Sequence, residues 1–306
     1  PGDDTIILGE GEARILAGLG ADTISVGNDN SVVIADNGSL QYTCDTLFSA
    51  TTSDAGLGGD DILRLNDGDA VVIAGFGADD IQIGDGNVDL LADNGQINYT
   101  DGSSTTLKSS DINDNTAGAD IIVIGDGNTR IIAGLGLKQA VDDQNNPIFD
   151  TDSNPVMVGD SITTGSGSDV VLADNGELYY TNNVLTQAKS TDTTFGGDDS
   201  LNLGDGDTIV IAGLGSDTVT IGKGDDVVLG DNGQLDFTEQ GLLTDAVTTE
   251  DTLGGDDTLA LGTGAAIALG GAGSDVIDTG SRDDIVLGDN GELRLGPDGV
   301  LDSITS

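Results

Sequence analysis

Short alternations of apolar and polar residues recur along the chain at nine-residue intervals. The clearest run forms four rows, 195–203 (FGGDDSLNL), 204–212 (GDGDTIVIA), 213–221 (GLGSDTVTI) and 222–230 (GKGDDVVLG). Each row opens with a Gly- and Asp-rich half, which is typical of a turn, and closes with an alternating half, which predicts a strand of three or four residues. A helix is excluded because no helical stripe survives such a density of glycine. The pattern therefore predicts an all-β chain.

A longer repeat groups these rows into five units. The tripeptide Asp-Asn-Gly recurs five times, at intervals of 57, 81, 57 and 58 residues, and the long interval indicates an insertion in the third unit. Such self-similarity is the signature of a repeat architecture. We divide the chain into unit 1 (1–56), unit 2 (57–115), unit 3 (116–194, with an insertion at 137–158), unit 4 (195–252) and unit 5 (253–306).

The seventh position of the row carries the predicted core. In the first and third rows of every unit this position is aliphatic: Ile6, Leu63, Ile122, Leu201 and Leu259, then Ile24, Ile81, Ile162, Val219 and Ile277. Inward side chains on very short strands, repeated every nine residues, predict coils that stack their strands in parallel around a narrow aliphatic ladder. The predicted fold is a parallel β-roll or β-solenoid.

Asp-Asn-Gly opens a fifth row of a different kind. Its seventh position is Tyr, Phe or Leu, and a polar stretch of variable length follows, as a sixth row with a surface loop or as a spacer. If successive rows alternate between two edges of a flattened coil, rows one, three and five turn on one edge and rows two, four and six on the other. This arrangement predicts that Asp217 lies between Asp199 and Asp231.

The fifth position of the row distinguishes the two edges. On the first edge it is aspartate in every first and third row: Asp4, Asp22, Asp61, Asp79, Asp120, Asp160, Asp199, Asp217, Asp257 and Asp275. On the second edge, row two never has it and row four has it three times: Asp169, Asp226 and Asp284. The fifth rows add their opening residue: Asp36, Asp93, Asp174, Asp231 and Asp289. Turn formation alone would accept Asn or Ser at these positions, so the uniform aspartate indicates a further role.

The charge of the chain points to cations. Fifty-five Asp and Glu against nine Lys and Arg give a formal net charge of −46, which excludes nucleic acid and anionic membranes as natural partners. Carboxylates about 4.8 Å apart on neighbouring turns repel unless a cation lies between them. Calcium suits this pattern because it takes six to eight oxygen ligands, whereas zinc, copper and iron sites are disfavoured by the absence of histidine and the single cysteine. We expect multiple Ca²⁺ ions at the eighteen aspartates named above.

Four rows carry a resemblance to a known family. The rows 75–83 (GFGADDIQI), 213–221, 222–230 and 271–279 (GAGSDVIDT) resemble the Gly-Gly-x-Gly-x-Asp-x-aliphatic-x nonapeptides of the repeats-in-toxin (RTX) family of calcium-binding proteins. The resemblance implies a right-handed parallel β-roll, calcium held between turns by Asp carboxylates and turn carbonyls, and secretion by a type I system. The chain departs from the family because row two lacks the aspartate and an Asp-Asn-Gly row interrupts the nonapeptides.

Two further features have competing interpretations. The insertion contains Asp142, Asp143, Asp150, Asp152 and Asn154, and its DTDSN segment has the alternating oxygens of a calcium loop, but a polar hairpin would have the same composition. Cys44 is the only cysteine, so an intrachain disulfide is impossible and an idle thiol is expected.

These observations predict a non-catalytic, calcium-stabilised structural segment of a large secreted or cell-surface protein, such as an adhesin, surface layer or extracellular filament. The sequence pattern before Ser306 leads into the pattern at Pro1, which predicts that copies can stack end to end. No membrane insertion is expected, since no run approaches 18 apolar residues. No acid/base pair stands out among so many carboxylates, so an enzyme is not expected. The alternative is the β-roll of a secreted enzyme or toxin whose catalytic domain lies outside this segment.

Overall fold

A computed structural model describes residues 2–110, 118–136, 138–139 and 157–306. These residues form thirty-two strands and no helix, and so they offer no helix that could cross a membrane. The prediction of an all-β chain is confirmed.

The strands follow the repeat units. Unit 1 contains β1 (Thr5–Ile7), β2 (Ala13–Leu16), β3 (Thr23–Val26), β4 (Ser31–Ile34), β5 (Gly38–Thr43) and β6 (Thr46–Thr52). Unit 2 contains β7 (Ile62–Leu65), β8 (Ala70–Ile73), β9 (Asp80–Ile83), β10 (Val88–Leu91), β11 (Gly95–Thr100) and β12 (Ser103–Ser109). Unit 3 contains β13 (Ile121–Ile124), β14 (Thr129–Ile132), β15 (Lys138–Gln139), β16 (Met157–Val158), β17 (Ser161–Thr164), β18 (Val170–Leu172), β19 (Gly176–Thr181) and β20 (Val184–Ser190). Unit 4 contains β21 (Ser200–Leu203), β22 (Ile209–Ile211), β23 (Thr218–Ile221), β24 (Asp226–Leu229), β25 (Gly233–Phe237) and β26 (Leu243–Thr248). Unit 5 contains β27 (Thr258–Ala260), β28 (Ala266–Leu269), β29 (Val276–Asp278), β30 (Ile285–Leu287), β31 (Glu292–Leu295) and β32 (Leu301–Thr305).

Three ten-stranded sheets form the fold. The outer sheet has the order β1-β3-β7-β9-β13-β17-β21-β23-β27-β29 and the central sheet the order β2-β4-β8-β10-β14-β18-β22-β24-β28-β30. Rows one and three contribute the strands of the outer sheet, and rows two and four those of the central sheet. Since each sheet takes rows of one edge only, its strands run in the same direction and pair in parallel. The hairpin sheet has the order β32-β31-β26-β25-β20-β19-β12-β11-β6-β5 and is antiparallel. The outer and central sheets are the predicted solenoid.

The predicted aliphatic ladder lies between the outer and central sheets. Ile24 pairs in register with Leu63, Leu63 with Ile81, and Ile81 with Ile122, and all four side chains are fully buried. The turns between coils approach one another closely: a side chain at Gly77, whose φ is +130°, would overlap the backbone of Gly59. The dense glycine of the sequence therefore permits the stacking that the aliphatic ladder stabilises.

The fifth and sixth rows are not part of the coil, and the prediction that they turn on its two edges is wrong. They form one hairpin per unit, and the five hairpins pair side by side in the hairpin sheet. A second apolar core fills the space between this sheet and the central sheet, with Ile34, Ile73, Ile97 and Leu107 among its buried members. The central sheet is therefore covered on both faces, which agrees with its nearly continuous Val, Ile and Leu.

Three hairpins have two-residue turns, at 44–45, 101–102 and 182–183. Both turn residues have positive φ in each case, for example +52° at Asn182 and +64° at Asn183. This backbone twist matches that of the flanking strands, and Asp-Gly or Asn-containing dipeptides favour it. Cys44 is exposed in the first of these turns. The Asp101-Gly102 and Asn182-Asn183 dipeptides were therefore the sequence signal for the hairpins.

The insertion in unit 3 begins and ends on a two-stranded antiparallel pair, β15 with β16. The acidic residues on which a calcium loop was predicted, from Asp142 to Asn154, lie outside the described residues.

Candidate functional site

The fifth-position aspartates of the outer-sheet rows form one continuous hydrogen-bonded ladder. The backbone N–H of each donates to Oδ1 of the next, over N···O distances of 2.6–3.0 Å, in the order Asp4, Asp22, Asp61, Asp79, Asp120, Asp160, Asp199, Asp217, Asp257 and Asp275. We call this set the aspartate ladder and the edge on which it lies the ladder edge. It links all five units, because each aspartate directly precedes or begins an outer strand.

The neighbours of Asp217 in the ladder correct one expectation. They are Asp199 and Asp257, not Asp199 and Asp231. Asp231 belongs to the fifth row, which leaves the coil to form a hairpin, so it cannot occupy a rung. The ladder therefore passes directly from the third row of one unit to the first row of the next.

The second carboxylate oxygen of most ladder aspartates is buried without a hydrogen-bond partner. This is the case for Oδ2 of Asp22, Asp61, Asp79, Asp160, Asp199, Asp217, Asp257 and Asp275. The side chains from Asp22 to Asp257 in the ladder are at most 2% exposed. A buried carboxylate oxygen without a partner is costly, so each of these atoms needs a proton or a cation.

Burial and mutual repulsion raise the pKa of the ladder carboxyls. Loss of hydration on burial is the main cause, and it raises the pKa of Asp61 and Asp217 to about 8 and that of Asp257 to about 9. Burial together with the charges of Asp61 and Asp36 also raises the pKa of Asp79. The hydrogen bond from the preceding backbone N–H acts in the opposite direction but does not compensate. The ladder is therefore unfavourable as a row of bare carboxylates at neutral pH.

The opening aspartates of the Asp-Asn-Gly rows lie beside this ladder. Oδ2 of Asp36 accepts the backbone N–H of Phe76 at 2.6 Å, and its Oδ1 is buried without a partner. Equivalent bonds join Asp93 to Leu135, Asp174 to Leu214 and Asp231 to Ala272. Each of these aspartates therefore connects its own unit to the third row of the next.

Glycine makes room for these connecting aspartates. A methyl group at Gly58 or at Gly75, whose φ is +117°, would overlap the carboxylate of Asp36. Gly254 and Gly271 enclose Asp231 in the same way. Gly196 and Gly213 enclose Asp174 in the same way. In unit 3 Gly134 lies against Asp93, but the residue equivalent to Gly58 is Ala117. The relation between these glycines and the aspartates becomes visible only when the units are stacked.

The connecting aspartates and the ladder act on one another electrostatically. The charge of Asp36 contributes, after burial, to the raised pKa of Asp61 and Asp79, and that of Asp231 to the raised pKa of Asp257. Burial raises the pKa of Asp36 and Asp231 themselves to about 7. The ladder edge is thus one coupled row of buried acids.

The second edge differs from the ladder edge in how its aspartates are bonded. Oδ1 of Asp169 accepts the backbone N–H and the hydroxyl of Thr129, at 3.0 and 2.8 Å, and its Oδ2 accepts the hydroxyl of Thr164 at 2.6 Å. Asp284 likewise accepts a hydroxyl bond from Thr279 at 2.9 Å. At Asp169 and Asp284 threonine hydroxyls therefore supply hydrogen bonds that the ladder lacks, whereas the bond that Asp226 accepts comes from the backbone N–H of Thr208. Nothing in the sequence pattern alone indicated these partners.

Seventeen of the eighteen predicted site residues fall into three groups. Ten lie in the ladder, four lie beside it as connecting aspartates, and Asp169, Asp226 and Asp284 lie on the second edge. Asp289 opens the last Asp-Asn-Gly row and is exposed, as is Asp4 in the first rung.

The chemistry of the ladder edge fits a hard cation. Its side-chain donors are carboxylate oxygens, several of them buried and without partners, and oxygen-only ligands suit calcium better than zinc or copper. Within the described ranges, however, no group of three or more acidic or cysteine side chains is arranged to hold one metal ion by itself. A cation between two rungs would therefore also need backbone carbonyls or water as ligands.

Comparison with known protein families, with curated proteins and with solved structures found no match.

Proposed function

We propose that this chain is a non-catalytic structural segment of a secreted or cell-surface protein, and that calcium bound along the ladder edge stabilises it. The observation that carries the proposal is the aspartate ladder, in which one oxygen of each buried carboxylate accepts a backbone N–H and the other has no partner in eight rungs. Divalent cations would neutralise the repulsion that otherwise opposes folding of a chain with net charge −46.

The architecture supports a role as a stiff spacer. Each coil contacts mainly its neighbours, yet all five units share three continuous ten-stranded sheets and one ladder of hydrogen bonds. In such a solenoid, length grows with the number of repeats while the cross-section stays constant. This is the property that an adhesin stalk, a surface layer or an extracellular filament requires.

The resemblance of the nonapeptide rows to the RTX family is consistent with this proposal and with secretion. The same resemblance also supports a second candidate function, the accessory β-roll of a secreted enzyme or toxin. A catalytic motif in flanking sequence would favour the accessory role, and further units of about 58 residues would favour the structural role.

Calcium titration of the metal-stripped chain tests the proposal. We expect several equivalents of Ca²⁺ to bind in isothermal titration calorimetry, and the melting temperature to rise in the range of about 0.1–1 mM that is typical of extracellular modules. Magnesium at the same ionic strength is the control, because it also screens charge but dehydrates reluctantly. Equal melting temperatures in calcium, in magnesium and in calcium-free buffer would contradict the proposal.

A further inference from the structure

A groove of about 670 Å³ opens on the second edge, away from the aspartate ladder. It runs between the turns that precede the central strands and the hairpin turns of units 1 to 3, and its walls include Leu47, Asn87 and Ser103. Its volume lies within the roughly 300–1,000 Å³ that small-molecule sites occupy. The groove is therefore large enough for a ligand of several rings.

The floor of the groove is a ladder of residues that changes character along the molecule. One residue of each central strand pairs in register with its neighbours, and in units 1 to 3 this ladder contains Arg14, Asp89 and Arg130, of which Asp89 and Arg130 line the groove. From Val170 to Ile285 it contains only valine and isoleucine. The ladder is thus mixed at one end, where Val32 and Val71 lie between the charged residues, and wholly aliphatic at the other.

The facing hairpins change in the same way. The side chain that each hairpin directs at this floor is Tyr42, Tyr99 or Tyr180 in units 1 to 3, but Phe237 or Leu295 in units 4 and 5. Phe237 and Leu295 pack into the apolar core between the central and hairpin sheets. Tyr99 and Tyr180 are buried in the same core, so the difference between the two halves is the polar hydroxyl that the tyrosines carry and that Phe237 and Leu295 lack.

Asp89, Tyr99, Ser104 and Arg130 form a polar network in the lining of the groove. Oδ1 of Asp89 lies 3.3 Å from Nη1 of Arg130, and its Oδ2 accepts the hydroxyl of Tyr99 at 2.8 Å. The Arg130 guanidinium also donates to Ser104 and lies 4.3 Å from the centre of the Tyr180 ring. Asp89 and Arg130 neutralise each other, so the network offers donors and acceptors in fixed positions without net charge.

Amide side chains form the rim. Asn30, Asn87 and Asn128 line the groove and are exposed at the turns before the central strands. Each amide has both donor and acceptor atoms. The floor beneath this rim also includes the side chains of Val32 and Val71. The lining also includes one exposed carboxylate, that of Asp69, whose Oδ1 accepts the backbone N–H and the side-chain amide of Asn87 at 2.9 and 3.1 Å. The groove thus combines amide groups and this carboxylate with a small apolar surface.

We propose that this groove binds a neutral oligosaccharide. Sugar hydroxyls are donors and acceptors at once and match the amides and the Asp89–Arg130 pair, while the apolar face of a sugar ring suits the valines of the floor. The net charge of −46 opposes an anionic ligand. A basic peptide would find Asp89 already paired with Arg130 and only one further carboxylate, that of Asp69, among the described residues of the lining.

The test compares ligands by isothermal titration calorimetry on the full chain, folded as judged by circular dichroism. The neutral probes are cellotetraose, maltotetraose, mannotetraose and chitotetraose; tetragalacturonate is the anionic probe and tetralysine the cationic one. We expect saturable binding of at least one neutral tetrasaccharide. Binding of none of the four, or of tetralysine or tetragalacturonate alone, would overturn the proposal.

Two groove variants locate the binding. The triple variant Asp89→Val, Arg130→Ile, Tyr99→Phe gives this part of the chain the apolar residues that units 4 and 5 have at the same positions. The variant Val71→Phe fills the groove with a larger side chain and leaves the polar network in place. Each should weaken binding by about tenfold or more, the effect of losing one or two net hydrogen bonds. Ile267→Val, in the aliphatic part of the same ladder, is the control and should bind normally. Unchanged affinity in the folded Val71→Phe chain would overturn the proposal even if the triple variant fails to fold.

Discussion

The backbone N–H of Asp61 donates to Oδ1 of Asp79 over 2.7 Å, and Oδ2 of Asp79 is buried without a hydrogen-bond partner. The same relationship recurs at seven further rungs, where one carboxylate oxygen holds two coils together while the other requires compensation. At these rungs the stability of the fold therefore depends on the charge of the carboxylate. Removing that charge should change the melting temperature in opposite directions with and without calcium.

Removing one charge from the ladder should have opposite effects in the two conditions. Asp217→Asn keeps an oxygen that can accept the N–H of Asp199 but removes a buried charge. In calcium-free buffer at pH 8 we expect an equal or higher melting temperature, because repulsion falls. In calcium we expect a lower melting temperature than the unsubstituted chain, and local affinity about tenfold weaker, because ligand charge sets calcium affinity.

Asp226→Asn is the matched control for this substitution. Asp226 is also buried and accepts a backbone N–H, from Thr208 at 3.1 Å, but it lies on the second edge. Its substitution should leave the calcium response largely unchanged. If both variants lose the same number of calcium ions, the distinction between the two edges is wrong.

The metal-free chain should lose stability as the pH rises. The folded-state pKa of Asp61 is about 8 and that of Asp257 about 9, against 3.8 for an ordinary aspartate. Between these values the folded chain holds protons that the unfolded chain has lost, so the free energy of unfolding falls with rising pH until the folded-state pKa is passed. Thermal melts between about pH 4.5 and 8.5 in calcium-free buffer would show this trend. A melting temperature that rises over this interval would contradict the ladder arrangement.

A single methyl group should disrupt the contact between units 1 and 2. Gly58→Ala would place its Cβ against the carboxylate of Asp36, which is buried and bonded to Phe76 and has little room to move. We expect a loss of about 1–3 kcal/mol, as for other overpacked sites. Gly56→Ala, two residues away and with open space around its Cβ, is the control. Chemical denaturation of both variants would measure the difference, and equal stabilities would show that the Asp36 contact is not formed.

Loss of the hydroxyl group should change the free energy of unfolding differently at Tyr99 and at Tyr180. Tyr99 donates to Asp89 at 2.8 Å, so Tyr99→Phe should cost about 1–2 kcal/mol. The hydroxyl of Tyr180 is buried without a partner, so Tyr180→Phe should be neutral or stabilising. Urea denaturation of the two variants provides the comparison. A larger loss for Tyr180→Phe than for Tyr99→Phe would contradict the network described for the groove.

Calcium should promote end-to-end assembly. At one end the three sheets present β1, β2 and β5 and at the other β29, β30 and β32, all with unpaired edges, and such edges readily pair with further strands. Electron microscopy of concentrated samples should show rods that lengthen in calcium and shorten in chelator. Single rods of uniform length in both conditions would contradict self-assembly but would not contradict the proposed role as a spacer.

The nine-residue period was sufficient to predict the parallel coils, because strand, turn and core are all local features of each row. The position of Asp231, beside the ladder and not in one of its rungs, could not be predicted from its own row, because it depends on the hairpin that follows. The Asp101-Gly102 and Asn182-Asn183 dipeptides indicate such hairpins, but the nine-residue register placed these residues in further rows of the coil. The pairing of Asp89 with Arg130 joins residues 41 positions apart, and it could not be inferred from either row alone.

All nine bonds of the aspartate ladder point the same way, from the earlier residue to the later one. The ladder therefore has a direction: a coil added on the side of Asp4 would have to supply an N–H to its carboxylate, and a coil added on the side of Asp275 would have to supply a carboxylate to its N–H. A two-fold symmetric contact would bring like ends together and could not continue the ladder. Only head-to-tail addition can continue it, and because such addition closes into a ring only when successive copies are rotated toward one another, a straight stack of coils would grow as a polar, open-ended filament.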